Sequence, residues 1–331
     1  MSQKTNRILD LDPAALTRLS GRGLLAAIRA AEGRTVLAET VVTVPPLVDG
    51  CSNPELAAAF GADLILLNLY DVNRPAVAGF PARKGTGPDP KLLKEFGLSG
   101  VEEVMGWGMT AGEIRRIAGR PVGINLEPIP EGELPKGFAP GRRATAGNAR
   151  KAVEQGVDFL VLTGNPGTGV TWSAVAAQVR CIREELGRDL PVMAGKMHGA
   201  GTWENQDVWL EESVLEELAK AGLDVLLLPQ SGTVPGVTPD HVKQWVDRAH
   251  RFGMMVMLTV GTSQEGAAPT VLERLALDGK AAGGDVLHIG DAGFAGMAPP
   301  ENIMAYSIAL RGKRHTYRRM GQSLTRPSRF K

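Results

Sequence analysis

The chain has 331 residues, of which 43% are hydrophobic and 22% are charged, and its formal net charge is +1. This composition is that of a globular protein able to bury a large core. No apolar run reaches the roughly 18 residues that a membrane span needs, and the polar start lacks the features of a signal peptide. We therefore expect a cytoplasmic protein without a membrane partner, with Cys51 and Cys181 as reduced thiols.

The first 34 residues show the helical spacing of apolar side chains. Asp12 and Pro13 form a typical helix start, because aspartate caps free N–H groups and proline fits the first helical position. Gly33 is a typical helix end. Residues 1–34 are therefore predicted to form a helical extension that closes one end of the following domain.

Eight short apolar runs then recur with spacings close to the length of one strand, one helix and two connections. This pattern predicts an α/β protein, a (β/α)8 TIM barrel over residues 35–312, whose site lies at the C-terminal ends of the strands. The runs begin at Thr35, Asp63, Pro121, Phe159, Pro191, Asp224, Met254 and Asp285.

Two connections are longer than the others and rich in glycine and proline. Residues 71–109 follow the second apolar run, and residues 128–145 follow the third. Long insertions of this kind are usually lids or binding loops. Both are predicted to lie on the active-site face of the barrel.

Alternation along each strand predicts which side chains point into the barrel. Met193 and Met197 are expected to face the helices. Burying charged groups inside a barrel is costly unless they pair or bind something, so the predicted interior polar residues indicate an active site. These residues are Glu39, Asn68, Asn125, Glu127, Thr163, Asn165, Lys196, His198, Gln230, Thr259 and His288.

Lys196 is a candidate for two different roles. A buried lysine loses its proton more readily and can attack a carbonyl to form a Schiff base. Alternatively, it stays protonated and pairs with Glu127 or holds a carboxylate or phosphate of the substrate. His198 and His288 are candidates for proton transfer because histidine titrates near neutral pH. Asp291, after the eighth run, is a further catalytic candidate.

The sequence also bears on metals and cofactors. The histidines do not have the spacing of a zinc motif. Magnesium is the metal that the residues favour, with Glu127 and Glu39 as ligands and with water and substrate oxygens completing the shell. Neither a Walker pattern nor a dinucleotide glycine motif after a first strand is present, so no nucleotide cofactor is expected.

Glycine-rich loops follow the seventh and eighth runs. In TIM barrels these two loops often form a phosphate site, because glycine lets backbone N–H groups approach an anion. We therefore expect an oxyanion to bind between residues 261–266 and 290–296. The residues predicted to contribute are Gly261, Thr262, Ser263, Gly290 and Gly293, with Asn68, Asn125, Thr163, Asn165 and Gln230 as further substrate ligands.

The C-terminal end is strongly basic. Residues 311–331 contain eight Lys or Arg and no acidic residue, so the rest of the chain is acidic overall. An acidic body repels phosphates, and nucleic acid is therefore not an expected partner. We predict that residues 313–331 form a separate basic segment, and that residues 313–320 pack on an acidic surface across a homo-oligomer interface.

The stretch PPLVDGCSNPELAAAFGADLILLN resembles the opening of the phosphoenolpyruvate mutase/isocitrate lyase superfamily. The whole chain, notably GINLEP, TGNPGTGVT, AGKMH, GTSQEG and HIGDAG, resembles an uncharacterised bacterial barrel family labelled phosphonomutase-like. The resemblance implies a TIM barrel, an oxyacid-type substrate and a last helix exchanged between subunits. Asn125-Leu126-Glu127 replaces the acidic metal cluster of the superfamily, and its Lys-Cys-Gly loop has no counterpart here.

These observations predict a phosphonomutase-like lyase or isomerase. Its substrate is expected to be a small anionic, phosphorylated carbonyl compound or oxo acid. One alternative is a Schiff-base aldolase that uses Lys196 as its nucleophile. Another is a barrel that senses a metabolite or sugar phosphate without catalysis.

Overall fold

The computed structural model describes residues 6–95, 97–98, 100–130, 132, 134–165, 168–197 and 210–329. His198, one of the predicted site residues, lies outside the described residues. None of the described helices is both long and apolar enough to cross a membrane.

Eight parallel strands close into a single barrel in chain order, with β8 paired to β1. Each begins within one residue of the predicted start, so the (β/α)8 barrel is confirmed. The strands are β1 Thr35–Val41, β2 Leu64–Asn68, β3 Val122–Leu126, β4 Phe159–Leu162, β5 Val192–Gly195, β6 Val225–Pro229, β7 Met255–Val260 and β8 Val286–Ile289.

Helices precede the barrel and follow its strands. Several end at a glycine with a positive φ, among them Gly119, Gly222 and Gly283, as is typical of helix C-termini. The helices are α1 Pro13–Leu16, α2 Gly21–Arg29, α3 Asn53–Ala59, α4 Pro90–Glu95, α5 Ala111–Ala118, α6 Ala146–Glu154, α7 Trp172–Leu186, α8 Glu212–Ala221, α9 Pro239–Arg251, α10 Pro269–Ala282 and α11 Pro300–Gly321.

Apolar side chains at alternate strand positions fill the barrel interior. Leu16, Leu24 and Ile28 of the N-terminal extension belong to the same cluster, so α1 and α2 close the N-terminal end of the barrel. The strand residues of this interior cluster are Leu37, Leu64, Leu66, Phe159, Val161, Met193, Val225, Leu227, Met255, Met257 and Val286.

One aspartate stands immediately before each even-numbered strand: Asp63, Asp158, Asp224 and Asp285. Each carboxylate reaches across to the preceding odd-numbered strand and satisfies a backbone N–H at its start, a group that would otherwise be buried without a partner. The N–H donors are those of Val36, Val122, Val192 and Val256, at 2.8–3.0 Å.

The C-terminal basic segment packs on its own chain. α11 is kinked at Gly312, where φ is 77°, and continues to Gly321. Arg319 Nε lies 2.7 Å from Asp63 Oδ1, and Arg311 Nη1 lies 2.5 Å from Asp63 Oδ2. The guanidinium of Arg319 also donates to backbone carbonyls of the N-terminal extension. The expected contact with an acidic group therefore forms within one chain, and the homo-oligomer stays a prediction.

Candidate active site

Buried ionisable groups meet at the C-terminal ends of β1 and β8. Glu39 lies two residues after Leu37, and His288 two residues after Val286, so the strand pleat turns both inward as predicted. His288 Nε2 lies 2.9 Å from Glu39 Oε2, and each side chain is 1% exposed. The two groups form a hydrogen-bonded pair inside the mouth of the barrel.

Burial decides the charge of this pair, because the charged form of each group is poorly solvated there. Burial, together with the nearby charge of Glu265, raises the pKa of Glu39 to about 8. Burial lowers the pKa of His288 to about 4. At pH 7 the pair is therefore a carboxylic acid beside a neutral imidazole.

Asp291 follows β8 and lies beside the Glu39–His288 pair. Burial raises the pKa of Asp291 to about 7. Asn68 Nδ2 donates a hydrogen bond to Asp291 Oδ2 at 2.8 Å. A pKa near neutrality favours general acid–base catalysis, because the group can then both take up and release a proton.

Glu265 joins the loops that follow β7 and β8. It lies in the turn Gln264–Gly266, and its Oε1 accepts a hydrogen bond from the N–H of Ala292 at 2.9 Å. Burial raises the pKa of this carboxyl group. A Cβ at position 290 would lie 2.8 Å from Glu265 Oε1, so glycine is needed there for the close approach.

Three buried polar atoms of this cluster have no hydrogen-bond partner among the described residues: Glu39 Oε1, Glu265 Oε2 and His288 Nδ1. Leaving such atoms unsatisfied costs about 1–3 kcal/mol each. Buried polar groups of this kind call for an explanation, and polar atoms of a bound ligand would satisfy them.

Asn68 binds Asp291, and asparagines from the two following strand ends bind Asn68 in turn. Asn68 donates to Asn165 Oδ1 at 3.1 Å as well as to Asp291, and Asn125 Nδ2 donates to Asn68 Oδ1 at 3.3 Å. The N–H of Thr163 in turn donates to Asn125 Oδ1 at 3.3 Å. The predicted convergence of these four polar residues is thus observed, and they form one network with a catalytic candidate.

Glu127 has protein partners for both carboxylate oxygens. Oε1 forms an ion pair with Arg142, and Oε2 accepts the N–H of Asn165 at 3.0 Å. The guanidinium of Arg142 also stacks over Phe138, 4.7 Å from the ring centre. A cation beside Glu127 opposes magnesium binding, and the described residues contain no group of three or more His, Cys, Asp or Glu placed to hold a metal. Both oxygens of Glu127 are therefore engaged by protein groups, and the magnesium site suggested by the sequence stays a prediction.

The predicted orientation of β5 is wrong. Met193 belongs to the interior cluster and Ala194 to the helix-facing core, and Met197 packs against the interior. The error arises because both faces of this strand are apolar. The sequence pattern therefore does not show which face points into the barrel. Lys196 is buried at 5% exposure, and continuing the observed alternation from β5 would direct it towards the helices.

The prediction for Gln230 fails for the same reason. Its Nε2 donates to the backbone carbonyl of Leu275 in α10 at 2.7 Å, so the side chain points out of the barrel. Leu227 faces the interior and Leu228 the helices, which is the reverse of the predicted phase. In β7, by contrast, Met257 belongs to the interior cluster, and the same alternation turns Thr259 inward as predicted.

The glycine-rich loops after β7 and β8 use their backbone differently from a phosphate site. The N–H of Gly290 donates to the carbonyl of Val260 at 2.9 Å, and that of Ala292 binds Glu265. Gly293 packs against Ala298, where a Cβ would lie 2.9 Å from the Cα. The first two amides are thus already engaged, and the adjacent carboxylates oppose an anion here.

Backbone strain is concentrated around the mouth. Leu69, Thr262, Ser263 and Ala295 have positive φ values of 61°, 57°, 72° and 50°, and all lie in loops that follow β2, β7 or β8. Non-glycine residues in this conformation persist only where the surroundings enforce it, and they cluster at functional sites. Gly261 begins the strained loop after β7. The strain supports a functional rather than a purely connecting role for this loop.

A cavity of about 860 Å3 opens between the two insertions on the same face. Leu69, Met105 and Trp107 give it apolar walls. Arg74 and Arg142 add two guanidinium groups, and Asp71 adds one carboxylate. Its size is that of small-molecule sites. Because Arg142 also binds Glu127, the cavity adjoins the polar network in the barrel.

Two residues of the candidate site, Glu265 and Arg142, were not predicted from the sequence. Glu265 lies within GTSQEG, which glycine content marked as a phosphate loop, and Arg142 lies within an insertion. Each is a charged residue next to a glycine in a loop on the active-site face, and this pattern could have marked both as site candidates. It does not by itself tell which strand end the side chain reaches.

Replacing Glu39 with glutamine is expected to stabilise the protein most at alkaline pH. The pKa of Glu39 is raised in the folded state, so the stability linked to its proton is present below about pH 4.5 and is lost as pH rises to about 8. Glutamine is neutral throughout. We expect Glu39→Gln to raise Tm relative to wild type by at least about 4 °C more at pH 8.5 than at pH 5. Glu216→Gln, at an exposed position in α8, is the control, and equal differences at both pH values would contradict the assignment.

Comparison with solved structures finds similar barrels at low identity. An archaeal fructose 1,6-bisphosphate aldolase shares 14% identity over 89% of this chain and 98% of that chain, with a TM-score of 0.49. 2,3-Dimethylmalate lyase, a PEP mutase/isocitrate lyase superfamily member, shares 14% over 86% and 81%, with a TM-score of 0.44. The carboxyl transferase domain of Rhizobium etli pyruvate carboxylase shares 12% over 97% and 52%, with a TM-score of 0.49. Likeness at this level says nothing about the reaction.

Comparison with curated protein sequences finds no match to this chain. A family model does match, and it spans residues 9–326, which include the N-terminal helices, all eight strands and the basic segment of α11. The chain therefore belongs to the family described as Domain of unknown function (DUF7916).

Proposed function

We propose that the barrel is a lyase or isomerase that moves a proton at a carbon next to a carbonyl or carboxylate of a small organic anion. The observation that carries this proposal is Asp291, a carboxyl group beside the Glu39–His288 pair that accepts a hydrogen bond from Asn68 at 2.8 Å and whose pKa is raised to about 7 by burial. Such a group can take up and return a proton at neutral pH.

Asp291 acts as the base in this proposal, and the Glu39–His288 pair stabilises the enolate oxygen that develops. With Glu39 protonated, its hydroxyl donates to His288 Nε2, which leaves the imidazole hydrogen on Nδ1. Nδ1 is buried and has no partner among the described residues, so it can donate to a substrate oxygen. A neutral donor in a site shielded from water stabilises developing negative charge.

The anionic part of the substrate binds at Arg74 and Arg142 in the cavity between the insertions. Guanidinium groups bind both carboxylates and phosphates by paired hydrogen bonds. Oxo acids and phosphorylated carbonyl compounds are therefore both candidate substrates. No step requires a metal ion, in keeping with the engaged oxygens of Glu127.

The proposal is tested by hydrogen exchange, which reports proton transfer without knowledge of the full reaction. The enzyme is incubated in D2O with a panel of 2-oxo acids and phosphorylated ketones, and 1H NMR follows the loss of signals from C–H groups next to the carbonyl. We expect exchange above the uncatalysed rate for at least one compound.

Two outcomes would contradict it. Binding of panel members without exchange would favour the sensor alternative. An adduct trapped by borohydride and mapped to Lys196 would favour the Schiff-base aldolase.

A further inference from the structure

A second cavity, of about 620 Å3, lies at the N-terminal end of the barrel, opposite the candidate active site. One wall is α2, and the others are the connections that lead into β5, β6 and β7. We call it the basal cleft and define it by the residues used below: Arg22, Leu25, Arg29, Arg188, Leu223 and Phe252. Its volume is that of a small-molecule site.

The basal cleft is rich in positive charge. Arg22, Arg29 and Arg188 line it and are exposed, whereas Asp224 is its acidic residue. Asp224 binds Arg22 at 2.5 Å and is also paired with Arg183 beneath the cleft. Burial lowers the pKa of Arg183, and the charges of Arg188 and Arg22 lower it further. These guanidinium groups are thus close enough to repel one another, and one shared carboxylate does not neutralise them.

The floor of the basal cleft is apolar. Leu25 of α2 and Leu223 before β6 are 5% and 6% exposed, and the ring of Phe252, directly after α9, is half-buried beside them. Apolar side chains below a rim of arginines suit a ligand that has a flat apolar part and a highly charged end.

We propose that the basal cleft binds a phosphorylated organic compound, with its phosphate groups at Arg29 and Arg188 and its flat apolar part on Phe252. Binding would link α2 to the connections before β5 and β7. The inference is independent of the proposed reaction, because the interior cluster separates the two ends of the barrel.

The test is isothermal titration calorimetry of the full chain with ADP as an aromatic phosphate, and with inorganic pyrophosphate and adenosine as its two halves. We expect ADP to bind most tightly. The double variant Arg29→Ala/Arg188→Ala should weaken ADP binding by at least about tenfold. Phe252→Ala should reduce the preference for ADP over pyrophosphate. The matched control is Arg116→Ala, which removes an exposed arginine from α5 on the outside of the barrel.

Each contrary result has a definite meaning. Absence of ADP binding at millimolar concentration would overturn the proposal. An unchanged Kd in the double variant would place the binding elsewhere and overturn it equally. Equal affinity for ADP and pyrophosphate would overturn the role of the apolar floor. Circular dichroism of each variant at the titration temperature shows whether it is folded.

Discussion

Replacing Asp63 with asparagine is expected to lower the free energy of unfolding by about 3–5 kcal/mol. Asp63 is fully buried and is the carboxylate partner of Arg311 and Arg319, which are buried as well. Burial alone would raise the pKa of Asp63, but these two arginines hold it below its usual value. Removing the negative charge leaves two guanidinium groups without compensation in a site that excludes water.

A third buried cation, Arg120, makes the loss of stability in Asp63→Asn larger. Arg120 is buried in the same cluster, and its partners among the described residues are backbone carbonyls, including that of Arg319. Burial, and after it the charge of Arg319, lowers the pKa of Arg120 to about 9. Asp63 is therefore the anion that offsets several buried positive charges.

Chemical unfolding of Asp63→Asn measures the loss, and Asp285→Asn is the matched control. Asp285 occupies the same place before β8, but its partner His250 is 40% exposed, so solvent can replace the lost charge. We expect the control to lose much less stability. A change below about 1 kcal/mol in Asp63→Asn would show that the backbone carbonyls alone hold the arginines.

Replacing Asp291 with asparagine is expected to reduce the proposed proton exchange by about 100-fold or more, the usual contribution of a positioned base. Asparagine keeps the shape of the side chain and can still accept the hydrogen bond from Asn68, so the site geometry is preserved. It also removes a charge that burial disfavours. We therefore expect Tm at pH 8 to be unchanged or raised, which separates lost catalysis from lost folding.

The pH dependence of the exchange rate is a second test of the role of Asp291. The base form of Asp291 is the active one in this proposal, so wild-type exchange should rise with pH through about 7 and fall below it. Asp247→Asn, at an exposed position in α9, is the control and should keep the full rate and profile. A variant at position 291 that exchanges as fast as wild type would exclude Asp291 as the base.

The strands were predictable because apolar runs recur at barrel spacing, and some interior positions were predictable because a polar residue stands among apolar ones. Glu39 and His288 are examples: each lies two residues from an interior apolar side chain, so the phase is clear. Lys196 and Gln230 follow runs that are apolar on both faces, where neighbouring methionines, leucines and alanines do not distinguish inside from outside.

The remainder of the site depends on how distant loops close over the barrel. Arg142 reaches Glu127 across an insertion, and Glu265 reaches the amide of Ala292 in another loop. Neither contact has a local sequence pattern. Asp63 was recognised only as the start of a strand, because its partners in α11 lie about 250 residues further along the chain.

The four aspartates before the even-numbered strands divide the barrel into strand pairs, and this bears on how it can be split into fragments. Each carboxylate accepts the backbone N–H of the strand that precedes its own, and each also binds a side chain elsewhere. A break in the chain between α7 and β5 would therefore give two half-barrels. Each would retain two of the hydrogen bonds between an aspartate and a backbone N–H. A break between β3 and β4 would instead separate Asp158 from the amide of Val122. Complementing fragments of this protein are best divided after the fourth strand unit, where every aspartate stays with its amide on the same piece and the ion pairs of Asp63 with Arg311 and Arg319 hold the two pieces together.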